Sequence, residues 1–172
     1  MESTLLSSAA EAAPAGPDGS HDFDFLFGSW RIMNRRLVRR LAGCTEWETF
    51  AARQKAWPIL SGLGNMDEFR TEARSSAFTG MTLRLFSPDT KRWSIYWMDN
   101  RKVTLDPPVT GEWSGDTGIF TGPDVFEGKL ITVRFTWRRL GPDTARWEQE
   151  FSPDAGRTWE KNWIMEFTRA ET

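Results

Sequence analysis

One histidine, His21, and one cysteine, Cys44, limit the chemistry open to this chain. A Ser-His-Asp triad and a histidine-based metal site each need a histidine beside their other groups. His21 stands near the start of the chain, in a stretch that reads as an arm. A lone cysteine builds neither a disulfide framework nor a multi-cysteine metal site, and Cys44 reads as a turn or core thiol in a reducing compartment. No glycine-rich loop opens a helix, so a nucleotide-binding fold is unsupported. No metal and no cofactor are expected.

What remains is the chemistry of carboxylates, guanidinium groups and a single phenol. The candidates are Asn34, Arg36, Glu46, Glu48, Asp67, Arg84, Tyr96, Asp99, Arg134, Glu148, Glu150 and Asn162, each inside an alternating stretch. A buried charge needs a partner, so acids and arginines sharing one enclosed space pair, as structural networks or as a ligand clamp. A clamp of that kind in aromatic surroundings holds the carboxylate or carbonyl of a flat or greasy molecule. It also supports catalysis: Glu48 or Glu150, desolvated near an arginine or Tyr96, acts as base while its partner stabilises an enolate or oxyanion.

The elements that must position these groups are strands. Ten tryptophans occur in 172 residues, mostly in runs that alternate apolar with polar side chains, such as Trp93-Ser94-Ile95-Tyr96-Trp97 and Val133-Arg134-Phe135-Thr136-Trp137. Period-two patterning with large aromatics predicts half-buried strands. They fall over Trp30–Arg39, Thr45–Ala56, Asn65–Thr71, Met81–Phe86, Arg92–Met98, Val109–Ser114, Gly118–Gly122, Lys129–Leu140, Arg146–Phe151 and Thr158–Arg169. Asp22–Phe27 reads as a short helical or 3₁₀ plug, and no amphipathic helix stands out. The fold expected is all-β: a single antiparallel up-and-down barrel of about ten strands, because closure removes every unpaired edge. If Trp30 faces inward, so do Ile32, Asn34, Arg36 and Val38. On the second strand, parity leaves open whether Trp47 or its neighbours Glu46 and Glu48 face in.

Length allows one domain with a real core. Residues 1–21 read as a disordered arm rich in Ala, Ser, Pro and Gly, and residues 22–172 as the barrel. The arm lacks the basic start and long apolar run of a signal peptide, and no stretch reaches transmembrane length, so a cytoplasmic location is expected. A formal net charge of −2 gives no general attraction to nucleic acid or to an anionic membrane, and neither is expected as a partner. A homodimer is left open.

Two local signatures refine this picture. Phe86-Ser87-Pro88-Asp89-Thr90-Lys91-Arg92-Trp93 is echoed by Phe151-Ser152-Pro153-Asp154-Ala155-Gly156-Arg157-Thr158-Trp159. The second copy resembles the Asp-box of bacterial sialidases, but a single full copy reads as a hairpin turn. In that turn Asp154 caps, Gly156 takes positive φ and Trp159 pins the hairpin to the core. Gly28-Ser29-Trp30 on the first strand, with Arg169 at the end of the last, resembles the lipocalin (calycin) pattern. That resemblance implies that Arg169 stacks on Trp30 and closes one barrel end. Asp22-Phe23-Asp24-Phe25, Gly43-Cys44-Thr45-Glu46-Trp47-Glu48, Gly62-Leu63-Gly64-Asn65 and Asn162-Trp163-Ile164-Met165 resemble a bacterial lipocalin-like domain family of unknown function. Nitrobindin-type barrels share the architecture and bind haem through a histidine; no strand here carries one, so haem is not expected.

The first functional expectation is a barrel that binds a hydrophobic or aromatic small molecule, anchored by Arg36 with Glu48 or Glu150 and walled by Trp97 and Trp163. Asn34, Arg84 and Arg134 are further ligand-contact candidates. The alternative is a cofactor-independent cyclase, isomerase or lyase in the same cavity, with Glu48, Glu150 or Tyr96 as the catalytic group. A third reading is a barrel filled by its own tryptophans that works as an interaction module.

Overall fold

A computed structural model describes residues 18–72 and 77–171. The arm expected over residues 1–21 lies outside the described residues except for Asp18–His21, which close against the barrel: the Trp93 indole N–H donates to the Gly19 carbonyl at 3.0 Å.

Ten strands follow a 3₁₀ turn at Asp24–Leu26: β1 (Gly28–Leu37), β2 (Trp47–Ile59), β3 (Gly64–Thr71), β4 (Thr79–Ser87), β5 (Arg92–Asp99), β6 (Val109–Ser114), β7 (Thr117–Phe126), β8 (Lys129–Gly141), β9 (Thr144–Ser152) and β10 (Glu160–Arg169). A second 3₁₀ turn, Leu60–Gly62, links β2 to β3. Each strand pairs antiparallel with its sequence neighbours, and β10 returns to β1 to close the barrel. The closing register runs from Trp30 opposite Arg169 to Arg36 opposite Trp163.

Alternation sorts the side chains. In β4 every second residue from Gly80 to Phe86 is buried, and in β1 Trp30, Ile32 and Asn34 are buried while Arg31, Met33 and Arg35 are exposed. Val38 departs from the expected parity. β1 ends at Leu37, which is itself buried, and the turn that follows leaves Val38 exposed.

One end of the barrel is plugged. Phe23 and Leu26 are fully buried there, with Phe23 edge-on to Trp93 at 5.0 Å and to Trp113 at 5.2 Å. The Trp30 indole donates to the Leu26 carbonyl at 2.8 Å, which fastens the 3₁₀ turn beneath the first strand. The Phe-rich turn before Trp30 therefore acts as a hydrophobic stopper.

A bulge between Lys161 and Trp163 in β10 inserts Asn162, whose Oδ1 accepts from Gln149 Nε2 at 2.9 Å. The extra residue changes which side chains face inward beyond it. Trp163 is buried inside the barrel, while Trp159, expected to pin its hairpin to the core, lies outside with its ring 3.9 Å from the Arg134 guanidinium. The remainder of that turn is built as its sequence implies. Asp154 accepts from the Thr158 backbone at 2.8 Å, Ser152 Oγ accepts from Gly156 N at 2.7 Å, and Gly156 adopts φ 89°.

Candidate functional site

The lumen is not filled by its tryptophans. A cavity of about 250 Å³ opens at the end opposite the Phe23 plug. Its inner part is lined by Trp137, Phe167 and Ile95, and its waist by Phe69, Trp97, Trp147 and Met165. Aromatic side chains line the interior and charged ones gather at the mouth, an arrangement suited to a small molecule with an apolar body and a polar end.

Strand pairing positions each wall residue. Trp97 on β5 lies opposite Thr82 on β4 and meets Phe69 at 6.0 Å and Phe78 at 6.4 Å in edge-to-face arrangements. Trp163 is fixed by its indole N–H, which donates to Asn34 Oδ1 at 3.0 Å, and it meets Trp147 edge-on at 5.8 Å. Asn34 is fully buried and serves the cavity by holding a wall residue in place.

Arg36 sits at the rim. Its guanidinium lies 5.0 Å from the ring centres of both Phe50 and Trp163, and its Nε donates to Glu48 Oε1 at 2.8 Å. Because Arg36 pairs directly with Glu48 across β1 and β2, both face inward and Trp47 faces out.

Other cations share the mouth, each with an acid: Arg101 with Asp99 at 2.7 Å and Lys102 with Asp106 at 2.8 Å. The Arg101 hydrogen bond holds the Asp99 carboxyl below its ordinary value, whereas burial pushes that of Asp124, also on the rim, up.

Arg40 differs. It is half-buried, 5.5 Å from the Phe126 ring and 5.9 Å from that of Phe151, and among the described residues it forms no ion pair and no hydrogen bond through its side chain. Burial, then the neighbouring charges of Arg36 and Arg101, pull its pKa below the usual arginine value. The loop that carries it is pinned: the Leu41 backbone N–H donates to both Glu160 carboxylate oxygens, at 2.8 and 3.0 Å. The carboxylates of Glu48 and Glu160 oppose the downward pull on Arg40, but neither forms an ion pair with it among the described residues.

Deeper in the lumen, Arg84 donates to Asp67 at 2.7 Å and to Asn65 at 3.0 Å, and its guanidinium lies over Phe23 and Trp137 at 5.2 and 5.6 Å. Burial pushes the Asp67 carboxyl up, opposed by the Arg84 charge. Arg84 closes the inner wall of the cavity while supporting the plug.

The structure thus brings Asn34, Arg36, Glu48, Arg84, Trp97 and Trp163 to the lumen. It does not bring Arg134, Glu150 or Tyr96 there. On β9 the large side chains Trp147 and Phe151 turn inward, which sends Glu148 and Glu150 to the outer face. Burying the aromatics and leaving the charges outside is the lower-energy parity. Arg134 pairs with Glu150 at 2.8 Å on that outer face, and Tyr96 points away from the cavity between the inward-facing Ile95 and Trp97. Glu148, also outside, is covered by Lys161, Arg146 and Arg138 at 2.8, 2.8 and 3.2 Å. Among the described residues no group of three His, Cys, Asp or Glu side chains is placed to hold a metal ion.

Arg40 and Gln54 are the site residues that strand-level reading passes over. Arg40 follows the end of β1, where alternation no longer applies; the Arg39-Arg40 pair before a turn is the signal that points to it. Gln54 carries no charge, but its pairing opposite Trp30 places it inside.

No protein-family description and no curated protein matches the chain. The lipocalin-like family of unknown function therefore stays at the level of a resemblance. Among solved structures, the S-type phycobiliprotein lyase CPES from Guillardia theta is similar, with a TM-score of 0.60 at 11% sequence identity over 88% of this chain and 92% of that one. The likeness, together with the closed ten-strand meander, shows a lipocalin-like barrel fold.

Proposed function

We propose that the barrel binds an aromatic or otherwise hydrophobic small-molecule anion, with its apolar body among Trp97, Trp147 and Trp163 and its charge on Arg40 and Arg36. The observation that carries this reading is Arg40: half-buried, without an acidic partner among the described residues, and at the mouth of an aromatic cavity. Arg36 is already paired with Glu48, so it orients the ligand while Arg40 supplies the charged contact. No helix among the described residues is long and apolar enough to cross a membrane.

The test is a matched pair of probes, anilinonaphthalene sulfonate and its uncharged counterpart N-phenylnaphthylamine, titrated by fluorescence. The wild-type chain is expected to prefer the sulfonate, increasingly so at low salt. Arg40→Met is expected to remove that preference, weakening the sulfonate about tenfold, the effect of losing one charge-assisted contact. Failure of the sulfonate to bind, or a preference that survives in Arg40→Met, overturns the proposal.

The second reading, a cofactor-independent isomerase, cyclase or lyase, draws support from the lyase named in the structural neighbour's title. Glu48 is its remaining base, since Glu150 and Tyr96 face outward. Turnover abolished in Glu48→Gln with probe affinity retained is the result this reading requires.

A further inference from the structure

Four buried side-chain polar atoms on the β1–β4 wall of the lumen lack a hydrogen-bond partner: Asn34 Nδ2, Gln54 Nε2, Asp67 Oδ1 and Arg84 Nε. They come from four adjacent strands, on the faces that alternation turns inward. Gln54 is 6% exposed and lines the cavity, as do Thr82 and Arg84. The opposite wall holds Trp137, Trp147, Met165 and Phe167, and its one buried amide in the lining, Gln149, is already paired with Asn162. The unpaired polar groups of the lumen thus gather on one side of it.

Buried polar groups are nearly always satisfied, and each unsatisfied one is costly, so a group held open in a lining points to a ligand atom. Gln54 is well placed to receive one. Its amide carries a donor and an acceptor on the same planar head, and no charge has to be desolvated. The Thr82 hydroxyl stands on the same wall opposite Asp67, to whose carboxylate it donates, which leaves its oxygen to accept.

We infer that the ligand is bipolar: besides the anion at the rim, it carries a hydroxyl at its inner end that accepts from Gln54 Nε2 and donates to Thr82 Oγ. This rests on the anion-binding reading above and specifies the class of molecule further. Glu48, the rim partner of Arg36, and Gln54 stand on the same face of β2, about 20 Å apart along the strand at about 3.3 Å per residue. Arg36 and Gln54 both reach inward from those positions. The span suits a rigid molecule of about three rings with a polar group at each end, and it disfavours a plain hydrocarbon tail, which leaves Gln54 unpaired.

The experiment compares para-terphenyl carboxylate with its counterpart hydroxylated at the far para position, each titrated calorimetrically into the full chain. The wild type is expected to bind the hydroxylated probe about tenfold more tightly, the gain of one well-formed buried hydrogen bond. Gln54→Leu is expected to erase that preference. Thr82→Val is a second variant in case Gln54→Leu folds poorly, and it is expected to reduce the preference in the same direction. Equal affinity for both probes in the wild type, with both weakened by Arg40→Met, overturns the inner subsite and leaves the anion-binding cavity standing. A preference that persists in both variants overturns the assignment to Gln54 and Thr82. Binding of neither probe overturns both proposals together.

Discussion

The Arg169 guanidinium lies 3.9 Å from the ring centre of Trp30 and donates to the Phe27 and Phe25 carbonyls at 2.6 and 2.9 Å. One side chain thus joins the last strand, the first strand and the 3₁₀ plug. Removing it forfeits a cation–π contact and leaves two carbonyls without their charged donor. Arg169→Met is expected to cost roughly 2 kcal/mol in urea unfolding. Arg169→Lys is expected to recover less than half, because an ammonium cannot fork between two carbonyls while stacking on an indole. Probe binding at the rim, far from this end, stays unchanged in both variants. A stability loss below measurement in Arg169→Met would remove the residue from the closure.

That contact was legible in the sequence because a Gly-x-Trp and a terminal arginine fix it at known places in a meander. The lumen was legible only in part. From Trp30, counting by twos reaches Ile32, Asn34 and Arg36 correctly and then misplaces Val38, because counting fails where the strand stops. On β9 the same counting offers two answers, and only packing decides between Trp147 with Phe151 and Glu148 with Glu150. The Asn162 bulge separates Trp159 from Trp163, a shift that no pattern of residue types announces. Arg40 belongs to a loop, and its position depends on a carboxylate, Glu160, that is distant in sequence.

The outer face carries its own charge arrangement. Burial pushes the Glu148 carboxyl up, but hydrogen bonds from Lys161, Arg138 and Arg146 outweigh that and hold it at about 2, below its ordinary 4.5. A carboxyl depressed on folding adds stability that is complete above its unfolded value and is lost as pH falls through the folded one. The window here runs from pH 4.5 down to about 2. Allowing for the partial exposure of its three cationic partners, the contribution at neutral pH is roughly 2 kcal/mol. Glu148→Gln is expected to lose that amount at pH 7 and to show a flatter decline in stability on acidification. Denaturation midpoints measured across that range check it, and parallel curves for the two proteins would refute the assignment.

Gly80 and Trp97 set the width of the pocket. A Cβ at Gly80 would overlap Cη2 of the Trp97 ring, so the indole occupies the space a side chain would take. The φ of Gly80 is one that any residue adopts, so the glycine is required by contact and not by backbone conformation. Gly80→Ala must therefore move the Trp97 ring, and Phe69 and Phe78 block two of its ways out. The open direction is the cavity. The variant is expected to fold with a loss of roughly 1–3 kcal/mol and to bind anilinonaphthalene sulfonate about tenfold more weakly. Truncating the ring in the double variant Gly80→Ala with Trp97→Phe is expected to restore part of that affinity, since the added methyl then meets a smaller neighbour. Gly80→Ala that binds as the wild type does would show that Trp97 does not limit the site.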